Sequence, residues 1–208
     1  MELNGVWGGL YKAMDWIMKF VYVQFLWTIF SVAGFLVLGL FPSTMAMFAV
    51  TRKWIMKDTD IPIFQTFWHI YKSEFLRTNI VGWINVGLGF VFYFYLRFFK
   101  ELDGIMFDIL FCLTLTLCVI YLMNLLFVAP VFVHYQLKII EILKYSIMIA
   151  LYNPFHAIAM AATAGGFFYL VLYIPGLIPF LSVSIVAFVF MWIAHLAFLR
   201  IEKKRALE

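Results

Sequence analysis

The sequence predicts an all-α, polytopic membrane protein, with five transmembrane helices joined by amphipathic helices that lie at the interface. Three observations carry this. Of 208 residues, 66% are hydrophobic and only 12% are charged, with a mean hydropathy of +1.00. A soluble domain is nearer half apolar and a quarter charged, so an aqueous core could not hold the surplus. The apolar residues also fall in runs of about 20, the length that crosses a bilayer's hydrocarbon, and the charges gather in the gaps between runs.

In chain order, residues 6–19 set Trp7, Leu10, Tyr11, Met14 and Met18 at helical spacing, with Lys12, Asp15 and Lys19 off that face. This is an amphipathic helix that lies at the interface or leads into the first span. Residues 20–40 form that span, with Gln24 as the clearly polar member. The run is too long for the core of a cleavable signal and lacks a small-residue cleavage site. After Pro42, Ser43 or Thr44 can cap a new helix through Met45, Phe48, Ala49 and Trp54. Its apolar part is too short to span, and Arg52, Lys53 and Lys57 close it.

Asp58-Thr59-Asp60 reads as a turn, and Pro62 suits the first turn of a helix that runs past Arg77 into a second span, 79–98. That span ends in the belt-like aromatics Phe92, Tyr93, Phe94, Tyr95, Phe98 and Phe99. Asp103-Gly104 makes a tight turn into a third span, 105–133, long enough to predict tilt, projection or a kink at Pro130. Lys138, Glu141 and Lys144, interleaved with Ile139, Ile140, Leu143, Ile147 and Met148, predict another interfacial helix, broken at Asn153-Pro154. The fourth span, 156–174, carries Ala157, Ala159, Ala161, Ala162, Ala164, Gly165 and Gly166, small residues that allow close helix approach. An uncharged turn over 173–179 leads to the fifth span, 179–199. The whole is one membrane domain, 1–208, with a polar-aromatic platform at 42–78.

Five spans place the chain ends on opposite sides, and basic residues mark the cytoplasm. Arg52, Lys53, Lys57, Lys72, Arg77, Lys138, Lys144, Arg200, Lys203, Lys204 and Arg205 fall on one side, against Lys12, Lys19, Arg97 and Lys100 on the other. The expected arrangement is an outside N-terminus, a cytoplasmic platform and a cytoplasmic C-terminus.

Candidate chemistry is sparse. The chain has no Gly-rich phosphate loop, nucleophile elbow, HExxH motif or Cys pair at ligand spacing. Cys112 and Cys118 sit six residues apart in one apolar run, on different helix faces, and read as small apolar fillers. His69, His134, His156 and His195 map toward the cytoplasmic side with Asp58, Asp60, Glu74 and Glu141, but their spacing suggests no metal site. The expectation is a protein without metal or cofactor that is not an enzyme.

Within the spans, Gln24, Asn85, Thr114, Thr116 and Asn124 can hydrogen-bond between helices, and Asp108 is an acidic residue one turn inside the third span. Asn85, Asp108 and Asn124 therefore mark the possible intramembrane polar site of an alternative reading, an autonomous small-solute transporter or channel. On the platform, Phe64, Phe67, Trp68, Tyr71 and Phe75 follow helical spacing, while Gln65, His69, Lys72, Glu74 and Arg77 occupy other faces. With Arg52, Lys53, Trp54 and Lys57, this stripe is either a lipid-interface helix or a docking surface for another protein.

The platform segments GLFPSTMAMFAVTRKW and DIPIFQTFWHIYKSEFLRTNIVGW resemble the YesL-like family of bacterial integral membrane proteins, a family of unknown biochemical activity. The resemblance implies a five-span protein of the bacterial cell (plasma) membrane, encoded in Gram-positive bacteria beside carbohydrate ABC importers and polysaccharide-degrading enzymes. It implies an accessory or assembly role in oligosaccharide import, alongside permease subunits. Because the chain has no ATPase motif, nucleotide binding would fall to separate subunits. No catalytic residues come with it.

Overall fold

The computed structural model describes residues 6–135 and 137–205. They form eight α-helices: α1 Val6–Ala33, α2 Leu40–Ile55, α3 Ile63–Ser73, α4 Phe75–Lys100, α5 Ile105–His134, α6 Ile139–Tyr152, α7 Pro154–Tyr173 and α8 Ile178–Arg205, with a short 3₁₀ turn at Pro175–Leu177 before α8. Among the described residues there is no strand. The side chains of Trp7, Lys204 and Arg205 lie outside the described residues.

Five helices are long and apolar enough to cross a membrane: α1 from Gly9 onward, α4, α5, α7 and α8 up to Lys203. These match the five spans read from the sequence. Their large apolar side chains point outward, as at Phe90 (68% exposed), Ile109 (63%) and Phe168 (67%). A soluble monomer rarely exposes apolar patches of this extent, whereas hydrocarbon accepts them at no cost. The chain is a multi-pass membrane protein.

The helix α2 departs from expectation. It was expected at the interface, yet Pro42, Ser43, Met45, Ala46, Met47, Phe48, Val50, Thr51 and Trp54 are all buried. The helices α1, α3, α4, α5 and α8 pack around it. The reason is legible in MAMFAV: residues 45–50 have no polar face, and a helix that is apolar all round belongs inside. Ser43 does not cap it. The helix starts at Leu40, so Pro42 sits in the first turn, where its missing N–H costs nothing. The Ser43 hydroxyl instead shares a 2.6 Å hydrogen bond with Ser31 of α1.

The turn between α1 and α2 is unusually tight. A Cβ on Gly34 would meet the backbone of Gly39, and one on Gly39 would meet the carbonyls of Phe30 and Ser31. Between them Phe35 (φ 55°) and Leu36 (φ 60°) adopt the left-handed conformation that side chains disfavour. Further on, Glu74 (φ −103°, ψ 10°) separates α3 from α4, where one continuous helix was expected.

The sense of each helix follows from its neighbours. Along α1, Trp16 and Phe20 meet Phe188, Gln24 meets Ser182, Val183 and Ser184, and Phe25 meets Phe180, so α1 and α8 are antiparallel. Ser31 pairs with Ser43, and Trp16 and Phe20 with Trp54, so α2 runs back along α1. It finishes where α5 and α8 finish, with Arg52 on His134 and His134 on Phe198. Five alternating spans would make α1 and α8 parallel. The contacts make them antiparallel, because the return of α2 adds a reversal that a count of long apolar runs omits.

Candidate functional site

The aromatic stripe of α3 splits between core and surface. Phe67 is fully buried and Tyr71 is 8% exposed. The Phe30 ring of α1 lies 5.0–6.4 Å from the rings of Tyr71, Trp68, Phe67 and Phe64. The Tyr71 hydroxyl donates to the Phe30 carbonyl at 3.2 Å, and burial pushes its phenol pKa up. Trp54 is buried edge-on against Trp16 and Phe20, each 5.6 Å away. Trp54, Phe67 and Tyr71 are therefore core residues and not docking anchors, a correction to the sequence reading. Phe75 is half-buried against Tyr71 at 5.6 Å. What remains accessible is Lys57, Phe64 (47% exposed) and Trp68 (42%), with Gln65, His69 and Lys72 beside them; Lys53 is half-buried.

Two predicted basic anchors also turn inward. Arg52 Nε donates to His134 Nδ1 at 3.3 Å, and His134 Nε2 lies 3.8 Å from the Glu202 carboxylate. Because Nδ1 accepts, the imidazole proton sits on Nε2, facing Glu202. This chain ties the ends of α2, α5 and α8 together, with the His195 ring 6.2 Å from His134. Arg77 pairs with Glu74 at 3.2 Å and stacks over Phe132 at 5.3 Å, which links α4 to α5. Beside it, an open groove of about 460 Å³ is lined by Arg77, Leu137, Lys138, Ile139 and Ile140. Sequence reasoning did not join Arg52, His134 and Glu202. Their one signal was a guanidinium closing an otherwise apolar helix, a charge that burial obliges to find a partner.

In the membrane, Asn85 and Asn124 do come together. Both are buried, Asn124 Nδ2 lies 3.4 Å from Asn85 Oδ1, and Tyr121 donates to the Asn85 carbonyl at 2.7 Å. Among the described residues, Asn124 Oδ1 has no partner. Asp108 is not part of this site: it is exposed on the first turn of α5, about 24 Å along the helix from Asn124 at 1.5 Å per residue. Gln24 bridges α1 to α8, its side-chain oxygen accepting from the Val183 and Ser184 amides at 3.1 and 3.0 Å. Thr114 and Thr116 bond back to carbonyls of their own helix instead of crossing to another. Cys112 and Cys118 are free thiols on α5. Among the described residues, no three His, Cys, Asp or Glu side chains converge as metal ligands.

Residues 20–96 match the family described as "Protein of unknown function, DUF624". That interval takes in α2, α3, the second half of α1 and most of α4. Three proteins of Bacillus subtilis (strain 168) are similar along the chain, each at 32% identity. They are uncharacterized protein YteU (98% of this chain, 91% of that protein), uncharacterized protein YesL (100% and 98%) and uncharacterized protein YesV (93% and 93%). No solved structure matches. With relatives aligned over nearly its full length, and with the platform inside the matched interval, the chain belongs to the YesL-like family.

Proposed function

We propose that the protein is a non-enzymatic accessory or assembly partner of a carbohydrate (oligosaccharide) ABC importer in the bacterial cell membrane. It docks through the cytoplasmic 42–78 segment, at the accessible part of that segment: Lys57, Phe64, Trp68 and Lys72. One observation carries the docking reading. The helix α3 is clamped to the core through Phe67 and Tyr71, yet keeps Phe64 and Trp68 accessible beside a basic and polar edge. Rigid aromatic anchors next to cations are the usual make-up of a binding hot spot. The partner class rests on the family resemblance. The positive-inside rule puts this face, with Arg200 and Lys203 at the end of α8, in the cytoplasm. On α7, a Cβ on Gly165 or Gly166 would meet nothing within 4 Å, so its small-residue face is open to a second, intramembrane contact.

The test is recovery from native membranes in mild detergent, followed by mass spectrometry. Permease and ATPase subunits should co-purify with the natural chain and fall at least tenfold with Phe64→Ala/Trp68→Ala. Equal recovery with the variant would reject the docking face. The unpartnered Asn124 Oδ1 keeps the transporter or channel as a second reading. Recovery of the protein alone, together with solute flux in liposomes that Asn124→Leu abolishes, would establish it in place of the first.

A further inference from the structure

We infer that α1 and α2 form one helical hairpin whose two open ends lie on the cytoplasmic side, so that the amino end of α1 and the carboxyl end of α8 share that face. This goes beyond the docking proposal and stands without it.

The sense of the helices is the first argument. The ends of α5 and α8 and the starts of α4 and α7 mark one end of the bundle: Arg77 stacks on Phe132, His134 on Phe198, and His156 and Arg200 line one open groove. Because α1 is antiparallel to α8, its amino end lies at this same end. The helix α2 then returns to it, closing with Arg52 on His134. At 16 residues α2 covers about 24 Å, and the turn at its start exposes its apolar side chains to lipid.

The turn is built for such a place. Its sequence, Gly34-Phe-Leu-Val-Leu-Gly39, has no polar side chain, and Phe35 is 88% exposed, Leu36 57%, Val37 56% and Leu38 47%. In hydrocarbon every backbone polar group needs an internal partner. Here each amide from Gly34 to Leu40 donates to a carbonyl between Phe30 and Leu36. The Leu38 carbonyl, in turn, accepts from Asn79 Nδ2 at 3.0 Å. A turn facing water would need neither this closure nor this composition, and the left-handed Phe35 and Leu36 are the strain through which it is reached.

The charges agree. With α1 starting in the cytoplasm, Lys12 and Lys19 join the basic residues of that side, leaving Arg97 and Lys100 as the only two of fifteen outside. The bias exceeds that of the alternating five-span layout. The outer face then reduces to two short links, 101–104 and 174–177. An extracellular solute-binding protein would find no folded surface to grip there, so a partner meets this protein in the cytoplasm or within the bilayer.

The experiment is cysteine accessibility in intact cells, in a Cys112→Ala/Cys118→Ala background, with a membrane-impermeant maleimide. Asp103→Cys should label in intact cells. Lys12→Cys and Lys203→Cys should label only after permeabilisation, and Phe35→Cys only once detergent dissolves the membrane. Labelling of Lys12→Cys in intact cells would overturn the shared face, and labelling of Phe35→Cys from outside would overturn the buried tip. An amino-terminal fluorescent-protein fusion, which matures only in the cytoplasm, gives a second readout that needs no substitution: fluorescence supports the inference, and a dark fusion present in the membrane at full level rejects it.

Discussion

At the scale of single residues, the hydrogen bond from Arg52 to His134 decides more than its neighbours in sequence suggest. Lys53, next along the helix, is half-buried without an ion pair among the described residues, whereas Arg52 ties three helix ends together. Hydrogen bonds to charged groups contribute about 1.5–3 kcal/mol, and removal of the donor leaves His134 Nδ1 unpaired inside the bundle. Arg52→Met should therefore lower the melting temperature of the detergent-solubilised protein clearly, and Lys53→Met should leave it almost unchanged; equal shifts would refute the distinction. Gly34→Ala probes another local demand. The added methyl has backbone in its way rather than a side chain that can swing aside, so we expect a loss of about 1–3 kcal/mol, read in the same thermal assay.

At the scale of elements, α3 carries two jobs on adjacent faces, and substitution should separate them. Phe67→Ala opens a cavity beneath the helix and should cost about 3–5 kcal/mol, with loss of folded protein on gel filtration. Phe64→Ala and Trp68→Ala remove partly exposed rings and should leave the elution profile unchanged. The sequence showed the stripe but not this division, because 3.6-residue spacing identifies a face without saying what covers it. The long spans were legible for a simpler reason: a run of about 20 apolar residues has one physical solution in a bilayer. The helix α2 was misplaced because an apolar part too short to span was read as interfacial, although residues 45–50 have no polar face and belong inside. Asn85 and Asn124 were legible as amides able to hydrogen-bond between helices, but not as each other's partner; Asp108 was not separable from them until the length of α5 set it apart. The bridge Arg52–His134–Glu202 joins residues 82 and 68 positions apart, and no local pattern encodes such a meeting.

At the scale of the whole molecule, the antiparallel packing of α1 on α8 is the feature that alternation of spans could not supply. A bismaleimide linker should join Phe25→Cys to Phe180→Cys, whose parent rings lie 5.9 Å apart, in the cysteine-free background. Parallel packing matched at the helix centres would set Phe25 opposite Ala197 instead, about 25 Å along α8 from Phe180. The burial of α2 also bears on how the chain is made. A segment of 16 residues that ends in Arg52-Lys53 is a poor client for one-at-a-time release into lipid from the insertion machinery, so it should travel with α1 as a preformed hairpin. Its other walls, α4, α5 and α8, emerge from the ribosome later, and α8 comes last of all. Until then, Thr51 and Arg52 face lipid without their final neighbours. A chain truncated before Ile178 should consequently be removed by membrane proteases during synthesis, and pulse-chase labelling would record this as a half-life several times shorter than that of the full chain.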